Sequence, residues 1–354
     1  MDVRRFDFSL PDDLIALRPA VPRDTARMLV VFADGRLEHS YVHDLPRYFQ
    51  SSDMLVINDS KVIPARLRGW RLARTAGGAP EPKIEILLCK RLAPARFTAF
   101  AKPARKLSVG DELRLGLTIA AQIDGRGESG QVALRFALEG ASLDAAVAAE
   151  GEVPLPPYIV GKRKADARDV SDYQTIFART EGSVAAPTAG LHFTSALFEA
   201  LAARGVGRES VTLHVGPGTF LPVSAADTAQ HKMHAEWATL TEGAAVRLNA
   251  ARAAGGRIVA VGTTSLRTLE SAAAPDGTLK PFSGETDIFI TPGYHFRTAE
   301  VLLTNFHLPR STLFMLVSAF CGIGTMKAAY AEAIKERYRF YSYGDACLLF
   351  RCRQ

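Results

Sequence analysis

Two short runs, Met54-Leu55-Val56-Ile57 and Ile258-Val259-Ala260-Val261, are apolar at every position. Side chains alternate between the two faces of a strand, so a strand can be apolar throughout only where both faces are covered. These runs therefore call for the centre of a sheet with layers on either side. Helical patterns stand ready to supply the layers. Thr194-Ser195 caps a stretch with Leu197, Phe198 and Leu201 on one face, stopped by Gly205, and a second runs from Glu242 to Ala254 before Gly255-Gly256. Ser171-Asp172 is expected to cap a helix carrying Tyr173, Ile176 and Phe177, and two more helices start at Ser311 and near Met326. Further strands are read at 28–32, 211–215, 237–240, 287–290 and 301–304. Strands alternating with helices predict an α/β fold, a mostly parallel sheet with helices on both faces.

Between residues 66 and 154 the pattern changes. Six strand-like runs (65–70, 83–88, 97–101, 112–115, 118–123 and 132–136) recur with Gly, Pro and Asp between them and hardly any helix signal. This spacing predicts a small antiparallel β-barrel inserted into the α/β domain, which then comprises residues 1–65 and 155–354. Residues 76–82 read as a flexible loop and Pro154-Leu155-Pro156-Pro157 as a stiff return linker. The insert is also where charge concentrates: from Lys61 to Arg114 there are thirteen Lys and Arg against four acids, so the rest of this +6 chain is slightly acidic. Such a block attracts a phosphate backbone, although a solvated barrel surface would account for the charge as well.

Other classes are disfavoured. With 47% hydrophobic and 23% charged residues the chain is expected to be globular. Asp7, Asp12 and Asp13 interrupt any signal-peptide core, and the most apolar stretch, 313–323, is about half the roughly 20 residues that span a bilayer. A cytoplasmic protein with no membrane segment is the expectation. The four cysteines lack C-x-x-C spacing, which suits reduced thiols and neither a zinc cluster nor a disulfide framework.

Four of the eight histidines fall between Ala186 and Glu236: His192 after Gly190 and His214 before Gly216 and Gly218 on glycine-bent turns, and the pair His231 and His234 on a third segment. A lone histidine is often a buried imidazole bonded to a carbonyl; two of them, each beside Gly and Thr, favour acid/base or substrate-binding roles. His231 and His234 with Glu236 raise a metal site, but Lys232 stands between them where it repels a cation. Val261-Gly262-Thr263-Thr264 puts amides and hydroxyls at a helix start, which suits either an anion or plain capping. Asn305 and His307 lie on a strand-to-helix connection of the kind that often meets a ligand.

Several long motifs occur together: APTAGLHFT from Ala186, HVGPGTF from His214, HKMHAE from His231, GTTSLRTLE from Gly262, TNFHLPRSTLFMLVSA from Thr304 and YRFYSYGDA from Tyr338, with NDSKVIPARL from Asn58. Over nearly its whole length the chain resembles the S-adenosylmethionine:tRNA ribosyltransferase-isomerases of queuosine biosynthesis. The resemblance implies an α/β domain with an inserted barrel. It also implies transfer and isomerisation of the ribosyl group of S-adenosylmethionine onto 7-aminomethyl-7-deazaguanine at the wobble position of a tRNA with a GUN anticodon, giving epoxyqueuosine, adenine and methionine. S-adenosylmethionine is then a consumed substrate, with no cofactor, no metal and a monomeric protein expected.

Removing a C5′ proton beside the sulfonium needs a base, and losing adenine needs a proton donor. On this reading His192 and His214 line the reacting ribose, with His234 and Glu236 nearby. Thr188, Gly190, Gly216, Gly218, Thr219, Asn305 and His307 would contact S-adenosylmethionine, while Gly262, Thr263, Thr264 and Arg267 would hold its methionine carboxylate. Asn58, Asp59, Lys61, Arg66, Arg68, Lys102 and Arg163 would bind the tRNA. The chain departs from the family pattern at Ser60-Lys61, where Thr-Arg is usual, after Tyr158, where it is extended, and at Glu300, where Asp is common. Two rival readings are a metal-dependent hydrolase using His231 and His234, and an RNA-binding barrel protein without catalysis.

Overall fold

The structure, a computed structural model, describes all residues except 75–81, 129, 217, 219–224 and 353–354. It divides into two compact units: residues 1–61, 157–180 and 186–354 form the first, and residues 62–156 with 181–185 form the second. Residues 62–65, 155–156 and 181–185 thus pack with the insert rather than with the α/β unit to which the sequence assigns them.

The first unit is built on a nine-stranded sheet. Its order is Phe282–Thr286, Glu236–Leu240, Gly207–Leu213, Met54–Asn58, Ile258–Val261, Val301–Asn305, Ala346–Phe350, Arg27–Val31 and Leu37–Tyr41. The four strands from Gly207–Leu213 to Val301–Asn305 run parallel, as does the pair Ala346–Phe350 and Arg27–Val31. The remaining pairings are antiparallel, so the sheet is mixed, with its parallel part at the centre where the apolar runs lie.

Alternation explains why those runs are apolar at every position. Val56, Ala260, Leu302 and Leu349 point to one face and pack on helices Glu242–Ala253, Thr263–Ala272, Thr312–Cys321 and Ile323–Lys335. Leu55, Ile57, Val259, Val261 and Leu303 point to the other, under helix Ser195–Ala203 and the turn Val42–Tyr48. Each fully buried Val, Leu or Ile contributes about 1.5–3 kcal/mol relative to exposure, so neither layer could be removed without unfolding the sheet. Ser311 caps the helix Thr312–Cys321 by accepting from the Phe314 amide at 3.1 Å, and Gly322 at φ 86° turns the chain into the next helix. Among the described residues no single helix is long and apolar enough to cross a membrane.

Three expectations fail locally. The helix expected to carry Tyr173, Ile176 and Phe177 ends at Asp172, because Tyr173 and Phe177 are drawn into aromatic packing with Tyr343 and Phe193. The strand expected at 287–290 is instead Phe282–Thr286, which pairs with Glu236–Leu240. The strand Ala346–Phe350 was not expected, since its short apolar run lies beyond the last helix signal.

The second unit is a closed six-stranded barrel in the order Gln131–Phe136, Arg96–Lys102, Lys83–Ala93, Arg66–Arg71, Glu112–Leu115 and Ile119–Arg126. Leu67, Ile84, Ile86, Leu113, Ile123 and Leu134 fill its interior while the alternate residues face out. Gly69 lies where a Cβ would stand 1.9 Å from the Arg114 carbonyl oxygen, so the strands can approach only without a side chain there. A helix at Gly140–Glu150 packs Leu143 and Val147 on this core. The sequence hides it, because its Ala-rich stretch has too few large apolar residues to mark a face. Of the loop expected at 76–82, all but Pro82 lies outside the described residues.

Candidate active site

The four central strands are parallel, so their carboxyl ends lie along one edge of the sheet, the edge where open α/β sheets bind ligands. Strand Met54–Asn58 ends at Asn58, Gly207–Leu213 runs into His214, Ile258–Val261 runs into Gly262 and the helix Thr263–Ala272, and Val301–Asn305 ends at Asn305. Asn58 ties three of these ends together. Its Nδ2 donates to the Leu213 carbonyl at 2.9 Å and to Thr264 Oγ1 at 3.2 Å, and its Oδ1 accepts from the Leu213 amide at 3.0 Å and the Ser60 amide at 3.1 Å. Both donors and both acceptor positions of the amide are then in use.

Thr188–His192 is a turn of 3-10 helix beside the end of Val301–Asn305. Thr188 Oγ1 donates to Asn305 Oδ1 at 2.8 Å, and Asn305 Nδ2 donates to His192 Nε2 at 3.2 Å. His192 is buried, and burial, with the Arg339 and Arg23 charges, pushes its pKa down to about 3. Neutral, and accepting at Nε2, it carries its proton on Nδ1. Gly190 is required for packing, since a Cβ would stand 2.6 Å from the Phe177 ring. Gly262, at φ 89°, brings the helix start to within 3.5 Å of Ala189, measured from the Cβ it lacks.

His214 is half-buried, and its Nδ1 lies 2.8 Å from Ser60 Oγ. Burial lowers its pKa, opposed by the carboxylate of Asp59. Two residues along the same turn, the Gly216 amide donates to Glu236 Oε1 at 2.9 Å, and Glu236 Oε2 is ion-paired with Arg267. The guanidinium is otherwise spent on the carbonyls of Ile288 and Thr286, at 3.3 and 3.4 Å. Arg267 thus faces Glu236 inside the protein, and Glu236 is engaged on both oxygens. A helix position and a charge do not reveal which neighbour a buried side chain meets.

His234 is exposed, and Gly218 fits against its ring, where a Cβ would stand 2.7 Å away. Thr219 lies outside the described residues. His307 is buried just beyond the end of Val301–Asn305: its Nε2 is 2.9 Å from Thr304 Oγ1, its amide donates to Tyr330 Oη at 2.9 Å, and burial pushes its pKa down to about 3. His231 turns its ring edge to Phe289. Among the described residues no group of three His, Cys, Asp or Glu side chains could hold a metal ion.

The depressed histidines predict a pH dependence of stability. His192 and His307 stay neutral in the fold down to about pH 3, whereas an unperturbed imidazole protonates near 6.5. Between those values the unfolded chain binds the extra protons. Stability is lost as pH falls, by about 1.4 kcal/mol per pH unit for each histidine. Denaturant midpoints taken from pH 7 to pH 4 should fall more steeply for the wild type than for His307→Gln; equal slopes would contradict this.

The residues expected to bind tRNA divide sharply. Asn58 is the buried tie described above. Asp59 is buried too, its oxygens taken by Thr212 Oγ1 and Arg179 Nη2, both at 2.6 Å. Arg163 lies against Asp169 at 2.5 Å and donates to the Leu17 carbonyl, and Arg66 is nearly buried, donating to the Leu155 carbonyl at 3.1 Å. All four are largely buried and bonded within the protein. Lys61 is half-buried, while Arg68 is exposed but ion-paired with Glu85 and Glu152 at 3.2 and 3.0 Å. Lys102 is exposed on the barrel wall. Trp70, which sequence reasoning passed over, stands directly opposite Lys83 and Arg114 of the basic block on the neighbouring strands, all three exposed. Alternation within the strands could have found it. Ser60 was named from the sequence only as a departure from the family pattern, with no role.

Comparison with known proteins completes the picture. The family described as queuosine biosynthesis protein matches residues 3–349. A protein of Rhodopseudomonas palustris (strain TIE-1) named S-adenosylmethionine:tRNA ribosyltransferase-isomerase is 60% identical, with 99% of each chain covered. One of the same name from Methylobacterium radiotolerans is 61% identical, covering 99% of this chain and 98% of that one. The crystal structure of an S-adenosylmethionine tRNA ribosyltransferase from Thermotoga maritima is similar with a TM-score of 0.55 and 36% identity, covering 98% of this chain and all of that one.

Proposed function

The chain belongs to the queuosine biosynthesis protein family, and we propose that it is an S-adenosylmethionine:tRNA ribosyltransferase-isomerase. It takes S-adenosylmethionine as a consumed substrate, with no resident cofactor, and moves the ribosyl group onto 7-aminomethyl-7-deazaguanine in the wobble position of a GUN-anticodon tRNA. Epoxyqueuosine, adenine and methionine result. The observation that carries this reading is 60% identity to a relative of that name over 99% of both chains. The polar groups gathered at one sheet edge fit the chemistry.

His214 serves as the base. It is half-buried, kept unprotonated by burial, and held at Nδ1 by Ser60, which leaves Nε2 to take the C5′ proton beside the sulfonium. His192, held neutral with Nδ1–H, acts as a hydrogen-bond donor instead; a group pushed to about 3 is too weak a base near neutral pH. The helix start at Thr263 and Thr264, with its free first-turn amides, suits the methionine carboxylate. Arg267 and Glu236 brace the Gly216 turn next to His214. The exposed Lys102, Lys83, Arg114 and Trp70 of the barrel suit RNA, cations meeting phosphates and the indole stacking on a base.

Incubating the protein with S-adenosylmethionine and tRNA bearing the aminomethyl base tests this. Adenine and methionine should appear in equal amounts with the nucleoside mass of epoxyqueuosine. Methyl transfer, or tight salt-dependent tRNA binding with no adenine release, would overturn it, the latter in favour of a non-catalytic RNA-binding protein.

A further inference from the structure

Ser60 is wholly buried, yet its hydroxyl stands 2.8 Å from Nδ1 of the half-buried His214. Its backbone is fixed with equal care. The Ser60 amide donates to Asn58 Oδ1, the same oxygen that receives the amide of Leu213, the residue before His214. One buried amide thus sets both partners of the Ser60–His214 contact and, through Thr264 Oγ1, the helix start beside them. From this geometry we infer that Ser60 is a positioning residue for the reaction, holding His214 by Nδ1 so that Nε2 faces the substrate, with Asn58 as the tie that keeps the two in register.

The inference rests on the proposed role of His214 as base. A base at Nε2 must carry its own proton on Nδ1, so Nδ1–H has to be donated to something. Ser60 Oγ is that acceptor. When Nε2 takes a proton from carbon, the C–H electron pair stays on the carbon beside the sulfonium. The ring then becomes an imidazolium whose Nδ1–H still has its partner. A hydroxyl differs from the carboxylate that often stands behind a catalytic histidine, because it orients the ring without bringing a negative charge that would raise the imidazole's basicity. The charged groups around the ring are themselves engaged: Asp59 with Thr212 and Arg179, and Glu236 with Arg267 and the Gly216 amide. The acidic limb of the rate profile therefore reports the imidazole.

The test compares wild type, Ser60→Ala, Ser60→Thr and His214→Gln in turnover of S-adenosylmethionine with modified tRNA across pH 5 to 9. Removing the acceptor of an Nδ1–H that is shared by the charged ring should lower kcat by about 10- to 100-fold. KM for S-adenosylmethionine should change little. The acidic limb should move to lower pH, because the imidazolium loses a partner. Ser60→Thr, which keeps the hydroxyl, should restore both rate and limb. A merely structural serine would change the amount of folded protein without moving the limb. If His214→Gln is inactive while Ser60→Ala keeps wild-type kcat and limb, the Ser60 inference is overturned and the site reading stands. If His214→Gln retains near-full turnover, the site reading itself fails.

Discussion

His214→Gln should lower turnover by about 100- to 10,000-fold, the usual contribution of one well-placed acid/base group, while dissociation constants for tRNA and S-adenosylmethionine stay close to wild type. Gln is the informative replacement because its side-chain amide can still meet Ser60 Oγ and fill the half-buried space, so the turn His214-Val215-Gly216 keeps its shape. What it lacks is a nitrogen able to accept a proton near neutral pH. A fall in kcat without a rise in KM would mark an interaction made only in the transition state. Near-full turnover with normal binding would exclude His214 as the base. Single-turnover adenine release at saturating substrate is the measurement of choice, because it separates the chemical step from product release.

The second large effect concerns stability. Arg267→Met should destabilise the α/β unit by about 3–5 kcal/mol, because it leaves the Glu236 carboxylate buried without its counter-charge. Both side chains are buried, 5% and 6% exposed. The double change Arg267→Met with Glu236→Gln should recover much of the loss, since the neutral amide can still accept the Gly216 amide bond and no charge is stranded. Urea denaturation of the two single variants and the double variant forms the cycle. Additive losses would show that the pair does not act as a unit. Arg267→Met should also slow turnover more than a remote variant of equal stability does, because Gly216 lies two residues from His214.

How much of this was legible in the chain depended on periodicity. Unbroken apolar character over 54–57 and 258–261 announced a sheet covered on both faces, and the six runs between 65 and 136 announced the barrel, because a strand's faces are written in its own two-residue repeat. The strand Ala346–Phe350 and the helix Gly140–Glu150 escaped, one because it is a short run beyond the last helix signal and the other for want of a marked apolar face. The motifs around His192, His214, Gly262 and Asn305 were visible as glycine-bent or polar segments following strands. That they meet follows from the parallel order of four strands, which puts their carboxyl ends on one edge.

The roles of individual polar residues were another matter. The resemblance put Asn58, Asp59, Arg66 and Arg163 at the RNA and Arg267 at the methionine carboxylate; each is buried or nearly so and bonded within the protein, to Leu213, Thr212, Leu155, Asp169 and Glu236 respectively. Ser60, noticed only as a departure from the family pattern, lies behind His214. By itself the sequence determined the two-part architecture, the set of segments that carry chemistry and, by resemblance, the family, since local pattern and motif order are properties of the chain alone. Only the tertiary structure decided which polar groups face a substrate and which face one another. That choice is made by burial and by the partners that other segments of the fold bring up, and no local pattern encodes it.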